Sequence, residues 1–136
     1  MGAADDAKVI EAARLFDHSP IPDAVRRFLA DPNHHMFIAY EGGASVGFVS
    51  GVELTHPDKG TEMFLYELAV DDAHQRRGIG TALVGALAGL AREHGCYGMW
   101  VLADDDNAGA AATYRKAGGE AESNPVLFWW QFQPKA

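Results

Sequence analysis

Apolar positions change period along the chain, and the changes mark out the elements. After Asp5 and Asp6, the residues Val9, Ile10, Ala13 and Phe16 recur at helical spacing, which predicts a first helix ended by Ser19-Pro20. Pro22 suits the start of a second helix, with Val25, Phe28 and Leu29 on one face and Arg26-Arg27 outside, closed by Asp31-Pro32-Asn33. Met36 to Tyr40 is a short apolar run, hence a strand. Glu41-Gly42-Gly43-Ala44 is a turn signal. Val46, Phe48, Ser50 and Val52 then alternate with Gly47, Val49 and Gly51, which predicts a second strand paired to the first. Thr55 to Gly60 is a polar loop. Met63 to Val70 is a nearly continuous apolar strand interrupted by one acid, Glu67. Such continuity predicts a central position with both faces covered.

Asp71 to Arg77 forms a polar loop leading into Gly78-Ile79-Gly80. A helix follows from Thr81 to about His94, with Leu83, Leu87 and Leu90 on one face and Gly95 as its C-cap. Tyr97 to Leu102 reads as another strand and Ala108 to Lys116 as a short Ala-rich helix ended by Gly118-Gly119. Val126 to Phe132 reads as a last, very aromatic strand. The order is two helices, three strands, helix, strand, helix, strand: a mixed α/β fold with no internal linker. All 136 residues are read as one domain.

Composition narrows the partners. With 48% apolar and 22% charged residues, the chain can bury a core without staples. A net charge of -8 repels nucleic acid and anionic membrane and favours cationic small molecules or basic peptides, although acidity for solubility alone is the commoner reason. One cysteine, Cys96, excludes an internal disulfide and a cysteine-based zinc site. Met1 to Asp6 is small and acidic, unlike a signal peptide, and Gly78 to Ala91 is too short and too rich in Gly and Ala to cross a bilayer. A cytoplasmic location is the expectation.

The junction of apolar strand, polar loop, Gly78-x-Gly80 and helix carries the chemistry. Glycines there let backbone approach a ligand, and successive N–H groups at a helix start make an anion site suited to a pyrophosphate. A bare G-x-G is more often a plain connecting turn. The dinucleotide fingerprint is incomplete, since Leu83 stands where its third glycine belongs, and no P-loop G-K-[ST] is present.

The wider pattern is more specific. Leu68-Ala69-Val70, Gln75-x-x-Gly78-x-Gly80 and Ala82 resemble the acetyl-CoA-binding motif of the GNAT acetyltransferases. Asn107, Ala110, Tyr114, Lys116 and Gly118 resemble that family's later motif at the right distance. The likeness covers roughly Phe37 to Phe132. It implies a GNAT fold: a mixed central sheet, two N-terminal helices, a cofactor-binding helix after the central strand, and a short C-terminal helix. It also implies an acetyl-CoA-dependent N-acetyltransferase. Backbone N–H groups from Arg76, Arg77, Gly78, Ile79, Gly80 and Thr81 would hold the pyrophosphate. The edge of Leu68, Ala69 and Val70 would pair with the pantetheine arm, and a backbone N–H there, that of Val70, would face the thioester oxygen. Asn107 would contact the cofactor arm and Tyr114 would protonate the leaving thiolate.

Direct attack on a thioester needs a neutral amine, hence a base. Glu67 is the candidate, because burial in an apolar strand would raise its pKa toward neutrality, although a carboxylate pointing to an exposed end of the sheet is an equally open reading. Asp104-Asp105-Asp106 follow a strand's C-terminal end. They could attract a cationic substrate, or Asp104 could be the base instead; a solvated turn capping the next helix is the plainer reading.

A narrower resemblance is to the small GNAT-type aminoglycoside 3-N-acetyltransferases. It rests on Tyr66 to Val70, Ala103-Asp104 and the aromatic C-terminus. An aminoglycoside or similar polycationic amine is therefore the implied acceptor, and antibiotic resistance the implied role. Peptide, lysine or small-metabolite amines, and a non-catalytic acetyl-CoA-binding module, stay open. Two departures stand out: Met1 to Ala7 cannot form the first strand usual in the family, and Gly119 replaces the aromatic that commonly follows the motif glycine. Cys96 is read as a small apolar packing residue, and Gly85 and Gly89 as marks of close packing. His34 and His35 point apart on a strand and make a poor metal pair, so no metal is expected. The surplus of Phe128, Trp129, Trp130 and Phe132 is shared between core packing and a homodimer interface.

Overall fold

The computed structural model describes residues 6–75, 77–103, 107–122 and 126–133. Helix α1 (Asp6–Glu11) runs into a 3-10 turn (Ala12–Leu15) and is followed by α2 (Pro22–Ala30). Strands β1 (His34–Glu41), β2 (Ala44–His56) and β3 (Gly60–Val70) come next, then helix α3 (Ile79–Glu93), strand β4 (Met99–Trp100) and helix α4 (Ala108–Lys116). The sheet order is β1-β2-β3-β4. The first three strands are antiparallel, as hairpin connections require, and β4 lies parallel to β3 across the α3 crossover.

The core forms where α3 lies on the sheet. Its residues Leu83, Val84, Leu87 and Ala91 make one apolar stripe packed against Val49, Met63 and Leu65. Leu90, expected on that stripe, is only half-buried, and Ala91 takes its place. On the opposite face of β2, the Phe16 ring meets Phe48 edge-on at 5.0 Å. Strand β2 is thus covered on both sides, and Val46, Phe48 and Val49 are buried. Gly51 permits this packing: a Cβ there would stand 2.8 Å from Leu87 Cδ2.

Several expectations change. Strands β1 to β3 run further than their apolar stretches, because ladder pairing continues through polar residues such as Thr55↔Thr61 and reduces the expected polar loop to a turn. The strand expected at Tyr97 to Leu102 contracts to Met99–Trp100. The strand expected at Val126 to Phe132 is not formed. Among the described residues the segment has no ladder partner, and its apolar side chains are exposed from 70% at Trp129 to 90% at Phe132. Aromatic content favours a strand only where a neighbour supplies pairing and burial, and β4 pairs over two residues alone. Coverage of β3 on both faces fails after Leu65, where Tyr66 is 66% exposed. Gly85 and Gly89 meet nothing within 4 Å of where a Cβ would stand, so close packing does not explain them. Met1 to Asp5, most of the stretch expected to lack the usual first strand, lie outside the described residues. Among the described residues, no helix is long and apolar enough to cross a membrane.

Candidate active site

A bulge in β3 sets up the site. Ser50 pairs with Glu67 but Gly51 pairs with Leu65, so Tyr66 is an extra residue with no counterpart on β2. Met63 and Leu65 point into the core beneath α3. Strict alternation would send Glu67 there too. The bulge reverses the alternation, and Glu67 is exposed on the face away from α3. Glu67 is therefore not a buried acid, as its apolar strand suggested. Partial desolvation still raises its carboxyl above the usual 4.5, and the charge of Asp17 adds to the shift. Asp17, just past the 3-10 turn, is a neighbouring charge that sequence reasoning missed. Nothing in its local pattern distinguishes it; the packing of Phe16 on Phe48 and the hydrogen bond of Arg14 to the Ser45 carbonyl bring its segment to the sheet.

The second feature is an open strand edge. On its β4 side, β3 is paired only at Met63 and Phe64, and from Leu65 to Val70 that edge has no strand partner among the described residues. Beside that free edge a cleft of about 930 Å³ opens between the end of β3, the start of α3 and the α4 region. Leu68 and Val70 line one wall, Gln75 and Gly78 to Ala82 the floor, and Asn107, Thr113, Tyr114 and Lys116 of the α4 region the other wall. Gly78 stands at the N-cap of α3 with φ 82°, a left-handed conformation that L side chains adopt at a cost. It turns the chain so that the first amides of α3 border the cleft.

The surrounding loop is held by polar contacts. Gln75 Nε2 donates to the Val70 carbonyl and to Asp72 Oδ1, both at 3.2 Å, which ties the loop to the end of β3. Arg77 pairs with Glu41 at 3.2 Å, and His74 Nε2 lies 3.1 Å from the same carboxylate. Arg14 donates to Asp71 at 3.3 Å and holds that carboxyl below its ordinary value. Asn107 caps α4, its Oδ1 accepting from the Ala110 N–H at 3.0 Å, which fixes the side chain so that its amide nitrogen can donate to a ligand. Burial pushes the Tyr114 hydroxyl above 10, which keeps it protonated at neutral pH. Arg76, Asp104, Asp105 and Asp106 lie outside the described residues. The structure thus brings Leu68, Val70, Gln75, Gly78, Ile79, Gly80, Thr81, Asn107 and Tyr114 to one cleft, with His74 and Thr113 as further walls that sequence reasoning missed.

An α/β domain with a free strand edge beside a glycine-started helix suits an extended, anion-bearing ligand laid along that edge. The sequence comparisons narrow that class. The Acetyltransferase (GNAT) family profile matches residues 6–119, and the chain belongs to this family. The cofactor of GNAT acetyltransferases is acetyl-CoA. The chain is 35% identical to the N-alpha-acetyltransferase RimI of Mycobacterium tuberculosis (strain ATCC 25618 / H37Rv) over 110 residues, covering 80% of the chain and 67% of RimI. It is 26% identical to rat (Rattus norvegicus) N-acetyltransferase 8B over 82% of the chain, and spans only 52% of that protein. Among solved structures, an aminoglycoside acetyltransferase from an uncultured soil metagenomic sample, in complex with sisomicin, superposes with a TM-score of 0.88 at 27% identity. That match covers 98% of this chain and 93% of the other.

Proposed function

We propose that this chain is an acetyl-CoA-dependent N-acetyltransferase whose acceptor is a primary amine of an aminoglycoside or similar polycation. The observation that carries the reading is the unpaired edge of β3 beside the Gly78 helix start, with Glu67 turned by the bulge toward the open face. The β3 edge would take the pantetheine arm as an added strand, and the amides from Arg77 to Thr81 would hold the pyrophosphate. Glu67 accepts a proton from the substrate ammonium. The freed amine would attack the thioester carbonyl of acetyl-CoA, with the backbone N–H of Val70 stabilising the oxyanion, and the C–S bond would break. Tyr114 would give its proton to the departing thiolate and be reprotonated by the surplus proton that the new amide nitrogen sheds. No bond to the enzyme forms. Glu67 and Asp17 together favour a polycation, and the net charge of -8 draws one in.

Aminoglycoside acceptance draws support from the sisomicin-bound relative, and 3-N regiochemistry from the residues around Glu67 and Asp104. A peptide N-terminus is the second reading, favoured by the 35% identity to RimI. Thiol release from acetyl-CoA, followed against aminoglycosides, polyamines, amino acids and basic peptides, separates them. Saturable turnover with aminoglycosides, with acetylation located by NMR, is the expected result. Turnover with peptides alone would replace this acceptor by the second.

Two variants probe the site. Gly78→Ala has open space for its methyl but a strained φ, so it should weaken coenzyme A binding by calorimetry by roughly tenfold, the equivalent of about 1–2 kcal/mol of backbone strain. Tyr114→Phe should lower turnover while leaving coenzyme A affinity unchanged, and equal loss of both would remove Tyr114 as the proton donor. The exposed Val126 to Phe132 aromatics fit a homodimer in solution, and a monomeric mass by light scattering would count against it.

A further inference from the structure

His35, Glu53 and His94 converge at the opposite end of α3 from the cleft. His35 on β1 and Glu53 on β2 both face α3, and His94 closes that helix. His35 Nε2 lies 2.5 Å from Glu53 Oε2, and His94 Nδ1 lies 2.8 Å from the same oxygen. The three donor atoms lie within 4.8 Å of one another. Three features make this more than a surface ion pair. The side chains of His35 and Glu53 are each only 12% exposed, so the carboxylate is largely screened from water. Each donor stands on a different packed element, which fixes their convergence. The carbonyls at the C-terminal end of α3 place negative potential beside His94, which favours a cation there.

We infer that His35 Nε2, His94 Nδ1 and Glu53 form a binding site for a divalent transition metal of the zinc class. Two imidazoles and one carboxylate suit zinc, cobalt or nickel rather than magnesium or calcium, which prefer all-oxygen sites. Tetrahedral bonds of about 2.0–2.2 Å would place the ligand atoms slightly further apart than the hydrogen-bonded distances, a shift within side-chain reach. Three protein ligands leave a fourth position for water, and His94, 40% exposed, gives an entry path. The adjacent histidines His34 and His35 are not the pair. His35 finds its partner in His94, far along the chain, which residue spacing could not show. The site lies about 22 Å from the cofactor cleft along the 15-residue α3, so its test does not depend on acetyl transfer.

Zinc titrated into the tag-free full-length chain, followed by calorimetry, is expected to bind at one equivalent. Cobalt should give the intense visible absorption of a low-symmetry site. His94→Ala and Glu53→Gln should each weaken zinc binding by roughly a hundredfold or more, since loss of outer-shell partners alone costs 10–100-fold. His56→Ala, at the exposed end of β2, should leave it unchanged. Binding that persists in both ligand variants, with circular dichroism showing both folded, overturns the site. So does absence of stoichiometric uptake by the parent chain.

Discussion

If Glu67 is the base, as proposed, Glu67→Gln is expected to lower kcat/KM by about 10²–10⁴ while leaving coenzyme A affinity unchanged, because it would remove the proton acceptor without changing the shape of β3. The pH profile gives the sharper signature. Desolvation first, and Asp17 second, raise the Glu67 carboxyl above 4.5, so the folded chain holds this proton more firmly than the unfolded chain does. The base works only when ionised. Activity should therefore rise with pH through that raised value, and the acidic limb should disappear in Glu67→Gln. Asp17→Asn should move the limb to lower pH by removing the neighbouring charge. A limb that stays in place in both variants would assign the base elsewhere, with Asp104 the next candidate.

Leu87→Ala carries the largest expected effect on stability. Leu87 is fully buried, with its methyls against the bare backbone of Gly51 and close to Met63. Truncation leaves a cavity between α3 and the sheet at a cost of about 2–5 kcal/mol. Against a typical total of roughly 5–15 kcal/mol, that is a large share. Urea unfolding should show a lower midpoint with an unchanged slope. A loss under about 1 kcal/mol would mean that α3 is not held by this stripe.

The helical stripe of α3, the hairpin at Gly42-Gly43 and the glycine junction at Gly78 were legible in the sequence, because each rests on local periodicity or on a conformation that favours glycine. The residues lining the cleft were legible through the resemblance of Gln75, Gly78, Gly80, Asn107 and Tyr114 to the GNAT motifs. What the sequence hid depends on pairing. The bulge at Tyr66 appears only when β2 and β3 are laid in register, and it alone decides that Glu67 leaves the core. Asp17 and the cluster of His35, Glu53 and His94 depend on contacts between distant segments. The aromatic stretch from Val126 to Phe132 failed as a strand for the opposite reason: local propensity was strong, and β4 is too short to offer a partner.

The claim that the cleft moves acetyl from coenzyme A to an amine has a direct test. Acetyl-CoA labelled in its acetyl group is incubated with the chain and sisomicin, and both the aminoglycoside and the protein are weighed by mass spectrometry. Multiple turnovers of label onto the amine, with no acetyl left on the protein, are the expected result. Label that stays on coenzyme A with this acceptor and with every other amine tried, while coenzyme A itself binds the cleft, would contradict it.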